Sequence, residues 1–316
     1  MKILCVRNDK LGDFVLTIPL YQLLKRRYPS IHITVLVAGY VAPFAKSISD
    51  IDEVIIDHGG IWHLIKEIRS KEFDVSLTIF STGRIGWILF LSNIKQRIAP
   101  ATKIAQIFHN KTKRQKRSAV KMREFEYNVD LLTLLDHDID INFNRPVIEI
   151  NEQDKINALK NSGIVSSKKL VALHPGSGGS SIGNLDIDQY LELAKIIQNH
   201  GMYEPVFTFG PDESDLLRKV QGRSNREYLY YQSNSGILEF CALLKNFALF
   251  ISTSTGTMHL AGAVNIPTFS FFGNHIIASS RRWSGLNEDV YQNNFNLTDD
   301  NGSDFEKIQI SLKELL

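Results

Sequence analysis

The chain has 316 residues, enough for two hydrophobic cores, and its 43% apolar and 22% charged content is that of an ordinary globular protein. A net charge of +2 gives no global reason to expect a nucleic-acid partner. Cys5 and Cys241 lie far apart in apolar runs and suggest neither a disulfide framework nor a metal site, and no apolar run approaches the roughly 20 residues of a membrane span.

In chain order, the start is too short an apolar run for a signal peptide, and residues 3–6 read as a buried strand. The expected location is cytoplasmic, with peripheral contact at the inner membrane face left open. The loop Arg7-Asn-Asp-Lys-Leu-Gly-Asp13 leads into a helix over 14–28, with Pro19 as a perturbation in its first turns. Strands over 33–37, 53–57 and 73–80 alternate with helical segments at 42–47 and 61–70. Such alternation predicts βαβ units, a parallel sheet and right-handed crossovers. Ligands then sit at the carboxyl ends of the strands, where Asp13 and Ser81-Thr-Gly-Arg84 fall.

Between Lys103 and Arg123 the chain turns basic, with Lys111, Lys113, Arg114, Lys116, Arg117, Lys121 and Arg123 and no acidic residue among them. This run is either a solvated loop or a surface for phosphorylated acceptors or anionic headgroups. Its sparse aromatics argue against single-stranded nucleic acid. An amphipathic helix is expected over 124–135. The polar stretch 151–169 marks the boundary between a domain of residues 1–160 and another of residues 161–316. The second half restarts with a strand at 170–173 and a Gly/Ser-rich loop, His174-Pro-Gly-Ser-Gly-Gly-Ser-Ser181. Asp186 and Gln189 form a capping-box pattern. A strand at 205–209 ends at Gly210-Pro-Asp-Glu213, a helix covers 237–244, and 308–316 is a terminal helix that is a candidate to pack back on the first domain.

The stretch 247–273 organises the second half. An apolar strand, Phe247-Ala-Leu-Phe-Ile251, feeds Ser252-Thr-Ser-Thr255 and Gly256, then a short helix and another strand. A strand, turn and helix start leave N–H donors aimed outward at the positive end of the helix dipole, a site suited to a diphosphate. The same residues also make a well-capped loop with no ligand. Asp13 is open to two readings, a helix cap or a general base. Glu213 either accepts from ribose hydroxyls or neighbours an N-cap, and His174 and His259 are either site or core histidines. No paired metal-ligand pattern, Walker loop, GxSxG elbow or early GxGxxG is present.

Three stretches together carry a resemblance. Ser-Thr-Gly-Thr-Met-His-Leu-Ala-Gly-Ala followed by Pro-Thr-Phe-Ser-Phe-Phe-Gly, with Leu11-Gly12-Asp13 and the 174–180 loop, resembles the lipopolysaccharide heptosyltransferases of glycosyltransferase family 9. The motifs stand in the family's order, roughly 160 and 80 residues apart. The resemblance implies an α/β GT-B fold, two Rossmann-like parallel-sheet domains facing an interdomain cleft. It also implies a metal-independent, inverting glycosyltransferase that moves a heptose or similar sugar from an ADP-sugar to a lipopolysaccharide-core or related glycolipid acceptor. The nucleotide sugar is a substrate, and no cofactor is expected. Asp13 would be the base. Gly12, Ser177, Gly178, Ser180, Ser181 and Glu213 would bind the donor, as would Ser254, Thr255, Gly256, Thr257 and His259. Arg84, Lys113 and Arg117 are the acceptor-side candidates.

The sequence departs from the family at two places. Ile182-Gly183-Asn184-Leu185 lacks the lysine that meets the donor phosphates, and Ser254 stands where an aspartate is common. Losing that cation removes an offset to charge on the leaving diphosphate. Either Arg7, Lys10, Arg281 or Arg282 substitutes, the donor differs, or the protein binds nucleotide or glycolipid without turnover. A nucleotide-sugar epimerase of related two-domain form is a weaker alternative.

Overall fold

Short apolar runs flanked by helical segments become strands covered on both faces. In a computed structural model, residues 1–101, 104–177, 184–298 and 301–316 are described, Asn301 by its backbone alone. Two units emerge, Met1–Val147 and Ile148–Leu316. In the first, β1 (Lys2–Val6), β2 (His32–Ala38), β3 (Glu53–Asp57), β4 (Val75–Thr78), β5 (Gln96–Pro100) and β6 (Lys111–Lys113) form one sheet in the order β3-β2-β1-β4-β5-β6. In the second, β7 (Lys169–His174), β8 (Tyr203–Phe209), β9 (Leu229–Gln232), β10 (Phe247–Thr253), β11 (Thr268–Gly273) and β12 (Gln292–Leu297) run β12-β11-β10-β7-β8-β9. All ladders are parallel. Each unit therefore has the same Rossmann-like strand order, with its topological switch point between β1 and β4 or between β7 and β10.

The core of the second unit is set by alternation along the central strands. Leu173, Ile251, Phe269 and Phe271 pack against Tyr190, Leu193 and Ile197 of the Ile187–His200 helix. That helix begins with the capping box expected from Asp186 and Gln189, their backbone amides exchanging side-chain acceptors at 2.8 and 3.0 Å. The terminal helix, Asn301–Leu315, places Ile308 and Leu312 in this same core, so its packing partners lie in the second unit. In the first unit, Leu4, Val6 and Leu36 meet Ile85, Ile88 and Leu89 of the Gly83–Leu91 helix.

The compact units divide at Val147, ahead of the 160/161 boundary drawn from composition. The polar helix Glu152–Ser162 is no linker. Asn246 Nδ2 donates to the Lys155 carbonyl at 3.0 Å, and Ile148 N donates to Ala263 O at 3.1 Å, so this segment is tied into the second unit. The expected helix over 14–28 begins earlier and is broken, as Leu11–Val15 and Ile18–Arg27, with Pro19 in the first turn of the second piece. Proline has no N–H to donate, and at that position none is needed.

Candidate active site

Each switch point holds one cluster of polar side chains. In the first unit the loop after β1 turns directly into the Leu11–Val15 helix. Asp13 is the third residue of that helix and does not cap it; Lys10 holds the N-cap position, and the phenol oxygen of Tyr40 accepts from Leu11 N at 2.9 Å. The Asp13 carboxylate is instead held by Nη2 of Arg7, the first residue after β1. Arg7 is buried, its Nε donates to Asp9 Oδ1 at 2.8 Å, and its Nη1 lies 3.9 Å from Glu124 Oε1. Its guanidinium also lies 5.8 Å from the centre of the Phe80 ring, in the loop after β4.

Glu124 reaches this cluster from the Glu124–Asp130 helix, which Asn128 pins to the Leu16 carbonyl at 3.0 Å. Arg117 pairs with the same carboxylate. Three carboxylates thus share two guanidinium groups in a poorly solvated place. Burial pushes the Asp13 carboxyl above the usual carboxylate range; Asp9 and Glu124 add to the rise, and Arg7 opposes it. A carboxylate that is more basic than usual and is steered by a guanidinium suits proton abstraction.

Of the acceptor-side candidates, two join this region. Arg84 donates to both oxygens of Asp57 at 2.7 Å, and Asn8 Nδ2 ties Asp57 to the Asp13 loop at 2.6 Å. Arg117 joins through Glu124. Lys113 does not: its ammonium is taken up by Asp130 at 2.7 Å and Thr133 at 2.8 Å. Gly12 is buried in the helix beside Asp13.

In the second unit, His174 closes β7. Its Nδ1 is 3.1 Å from the Thr208 hydroxyl and its Nε2 is 3.8 Å from Glu213 Oε2. Burial lowers the His174 pKa, with Glu213 opposing, so the ring is a neutral structural link. Glu213 occupies the N-cap position of the Ser214–Arg223 helix without capping it. Its carboxylate turns back to accept from Gly210 N at 2.7 Å and lies so close over Gly176 that a Cβ there would fall 2.0 Å from Oε1. The loops after β7 and β8 are interlocked by this one side chain. Ser177 lies beside that lock; Gly178, Ser180 and Ser181 fall outside the described residues, as do residues 182–183.

After β10, Ser254 N donates to Phe271 O at 2.9 Å, and Thr255 stands at the N-cap of the Gly256–Ala263 helix in an extended conformation. Its hydroxyl pairs with that of Thr257 at 2.8 Å and leaves the first-turn amides uncapped by Thr255. Two hydroxyls and a helix start, with its glycine, are thus presented together, an arrangement that accepts an anion. His259 is buried one turn in, with its ring 6.4 Å from Trp283. Arg282 lies 4.7 Å over the Trp283 ring, which in turn is the ring beside His259. Among the described residues no cluster of His, Cys, Asp or Glu is arranged to hold a metal ion, and no helix is long and apolar enough to cross a membrane.

Sequence reasoning did not find the carboxylate–guanidinium cluster. Arg7 reads from the sequence as a candidate substitute cation, but nothing in a single sequence pairs residue 7 with residue 124. The only available signal was the number of charges, Arg7, Asp9 and Asp13, in a loop that starts directly from a buried strand.

The protein-family description that fits this chain is glycosyltransferase family 9 (heptosyltransferase), matched over residues 61–309. A provisionally named glycosyltransferase of Haemophilus influenzae is 36% identical over 305 residues, covering 91% of this chain and 86% of that one. Lipooligosaccharide heptosyltransferase 2 of the same organism is 21% identical over 292 residues, covering 86% and 83%. Among solved structures, the E. coli ADP-heptose heptosyltransferase II matches with a TM-score of 0.84 at 18% identity, over 100% of this chain and 97% of that one. At that identity the likeness is one of fold, and the two parallel sheets are of the GT-B class.

Proposed function

The chain belongs to glycosyltransferase family 9, and from that premise we propose that it transfers a heptose, or a similar sugar, from an ADP-linked donor to the lipopolysaccharide core or a related surface glycan, with inversion. The acceptor hydroxyl gives its proton to the Asp13 carboxylate as its oxygen bonds to the anomeric carbon. The bond from that carbon to the diphosphate breaks, and its electron pair leaves with the nucleoside diphosphate. The observation that carries this reading is the Asp13 carboxylate, raised in basicity by burial and steered by Arg7 at a sheet switch point.

The second unit is assigned the diphosphate. Thr255, Gly256 and Thr257 meet it with hydroxyl and amide donors, and Glu213 receives the ribose hydroxyls. Residues 174–185 contain no Lys or Arg. We assign the missing cation to Arg282, supported by its position over Trp283 beside His259. No metal or cofactor has a part in this scheme. The names of the relatives support heptose and ADP as the first donor to try.

The test is mass spectrometry of a core-oligosaccharide acceptor after incubation with ADP-heptose and with other nucleotide sugars. An acceptor gaining one sugar, lost in Asp13→Asn while nucleotide binding persists, is the expected result. A protein that binds nucleotide but transfers from no donor is instead a binding member of the family, the reading that the absence of a basic residue in 174–185 favours. Release of free nucleoside diphosphate without acceptor points to epimerase-type chemistry.

A further inference from the structure

Residues 75–123 form a stretch of 49 residues that contains eleven Lys and Arg and no Asp or Glu, leaving the rest of the chain with 25 basic and 34 acidic side chains. Part of this charge is neutralised internally: Arg84, Lys113 and Arg117 are paired with Asp57, Asp130 and Glu124. Lys95, Lys111, Arg114, Lys116 and Lys121 are exposed, and none of these five has an acidic partner among the described residues.

The same stretch displays apolar side chains where a globular surface rarely does. The Gly83–Leu91 helix buries Ile85, Gly86, Ile88 and Leu89 and turns Trp87 and Phe90 outward, 42% and 48% exposed. Gly86 lets the turn Ile104–Phe108 close on the helix, since a Cβ there would fall 2.9 Å from Phe108 Cδ2. The Phe108 ring then packs 5.7 Å from Trp87 and 6.2 Å from Phe90, a fixed aromatic platform. Beside it the turn projects Ile104 and Ile107, 80% and 69% exposed.

The charges adjoin this platform. Arg97 lies 5.4 Å over the Phe90 ring and donates to Phe108 O at 2.7 Å. Asn110, next to Lys111, donates to the Lys95 carbonyl at 2.7 Å, so the two lysine backbones are adjacent, with Lys111 Nζ also reaching the Leu134 carbonyl at 3.3 Å. A contiguous apolar patch rimmed by one sign of charge marks a docking surface. Trp, Phe and Ile enter the boundary between headgroup and acyl chain, and Lys and Arg pair with anionic headgroups. A second copy of the chain is a poor occupant, because a two-fold contact through this patch would set cations against cations.

We propose that this face of the first unit docks on an anionic lipid bilayer. Trp87, Phe90, Ile104 and Ile107 enter the interface, and the flanking cations meet headgroup phosphates. The proposal depends on exposed residues of the first unit and not on the role of Asp13.

Co-sedimentation of the full chain with vesicles of mixed phosphatidylglycerol and phosphatidylcholine, and with phosphatidylcholine alone, tests it. Binding to the mixed vesicles only, weakened by salt, is expected. Lys95→Glu/Lys111→Glu should reduce affinity by about thirtyfold or more, since each cation contributes roughly fivefold. Ile104→Ser/Ile107→Ser should reduce it by about tenfold, and both variants should keep the parent's circular dichroism and its transfer to a lipid-free acceptor in solution. Failure of the parent to bind mixed vesicles overturns the proposal, as does parental binding by both variants. So does a concentration-dependent dimer that the isoleucine variant abolishes without any vesicle binding. Loss of transfer with vesicle binding intact bears only on the enzymatic reading.

Discussion

Arg7 donates to the Asp13 carboxylate through one terminal nitrogen while its Nε keeps hold of Asp9 at 2.8 Å. The proposed base is therefore oriented by a residue that is buried and is itself anchored on a second carboxylate. Burial alone would favour a neutral Asp13; the guanidinium keeps the charged form accessible.

Arg7→Met should move the acidic limb of the kcat/KM profile to higher pH. The sign follows from the opposing effects: burial, Asp9 and Glu124 raise the Asp13 pKa, Arg7 lowers it, and removing Arg7 leaves only the raising contributions. Arg7→Lys keeps the charge without the planar fork and should recover much of the limb's position. A limb that stays in place in Arg7→Met would mean that Asp13 is not the titrating group.

Gly176→Ala should weaken donor binding and lower thermal stability modestly, since the displaced Glu213 side chain also links the loops after β7 and β8. The new Cβ would overlap the Glu213 carboxylate, the mobile end of a long side chain, and would push it off Gly210 N. Titration calorimetry with ADP should show an affinity loss of about tenfold, the size of one displaced charge-assisted hydrogen bond. Glu213→Gln should reproduce most of that loss; an unchanged affinity in both variants removes Glu213 from the ribose.

Acid should selectively loosen the first unit. Arg84, with help from Gly59 N and Asn8, holds the Asp57 carboxyl at about 2. A depressed carboxyl contributes stability above its unfolded pKa of about 4, and that contribution disappears as pH falls toward about 2. Arg84→Ala should cost on the order of 1 kcal/mol at neutral pH, allowing for solvent screening of this partly exposed pair. The deficit measured by urea unfolding should shrink steadily below about pH 4 and be lost as the pH falls through about 2.

Transfer should be indifferent to EDTA and to added magnesium, because the proposed scheme meets the leaving diphosphate with amides, hydroxyls and Arg282. Arg282→Ala should lower kcat by one to two orders of magnitude, roughly the range for a lost transition-state charge contact. Restoration of that variant by magnesium would show a metal taking the same place, and an unaffected kcat would remove Arg282 from the scheme.

Central strands were legible in the sequence because they are buried on both faces and read as apolar runs: β1, β2, β7, β10 and β11 all announce themselves in this way. Of the four edge strands only β3, over 53–57, was. β6 has three residues, β9 is half-buried along its length, and β12 reads QNNFNL, too polar for the same signal. The Gly83–Leu91 helix went unread for the opposite reason. With Trp87 and Phe90 on its outer side as well as Ile85, Ile88 and Leu89 within, it shows no polar face and hence no period. At the site, the donor-side motifs were visible as local sequence, because one loop supplies Ser254, Thr255 and Thr257. The Arg7–Glu124 and Arg84–Asp57 pairs were invisible, because each joins elements that only the fold brings near.

Those polar edges have a consequence beyond their concealment. An open sheet offers unpaired backbone groups to any passing chain, and long apolar borders are where ordered aggregates begin. Here one border of the first sheet is Lys-Thr-Lys, and one border of the second carries a row of amide side chains. A second molecule arriving at either border finds ammonium groups or competing amides in place of a matching greasy strand. Those two borders are accordingly expected to resist strand-by-strand recruitment of a second copy.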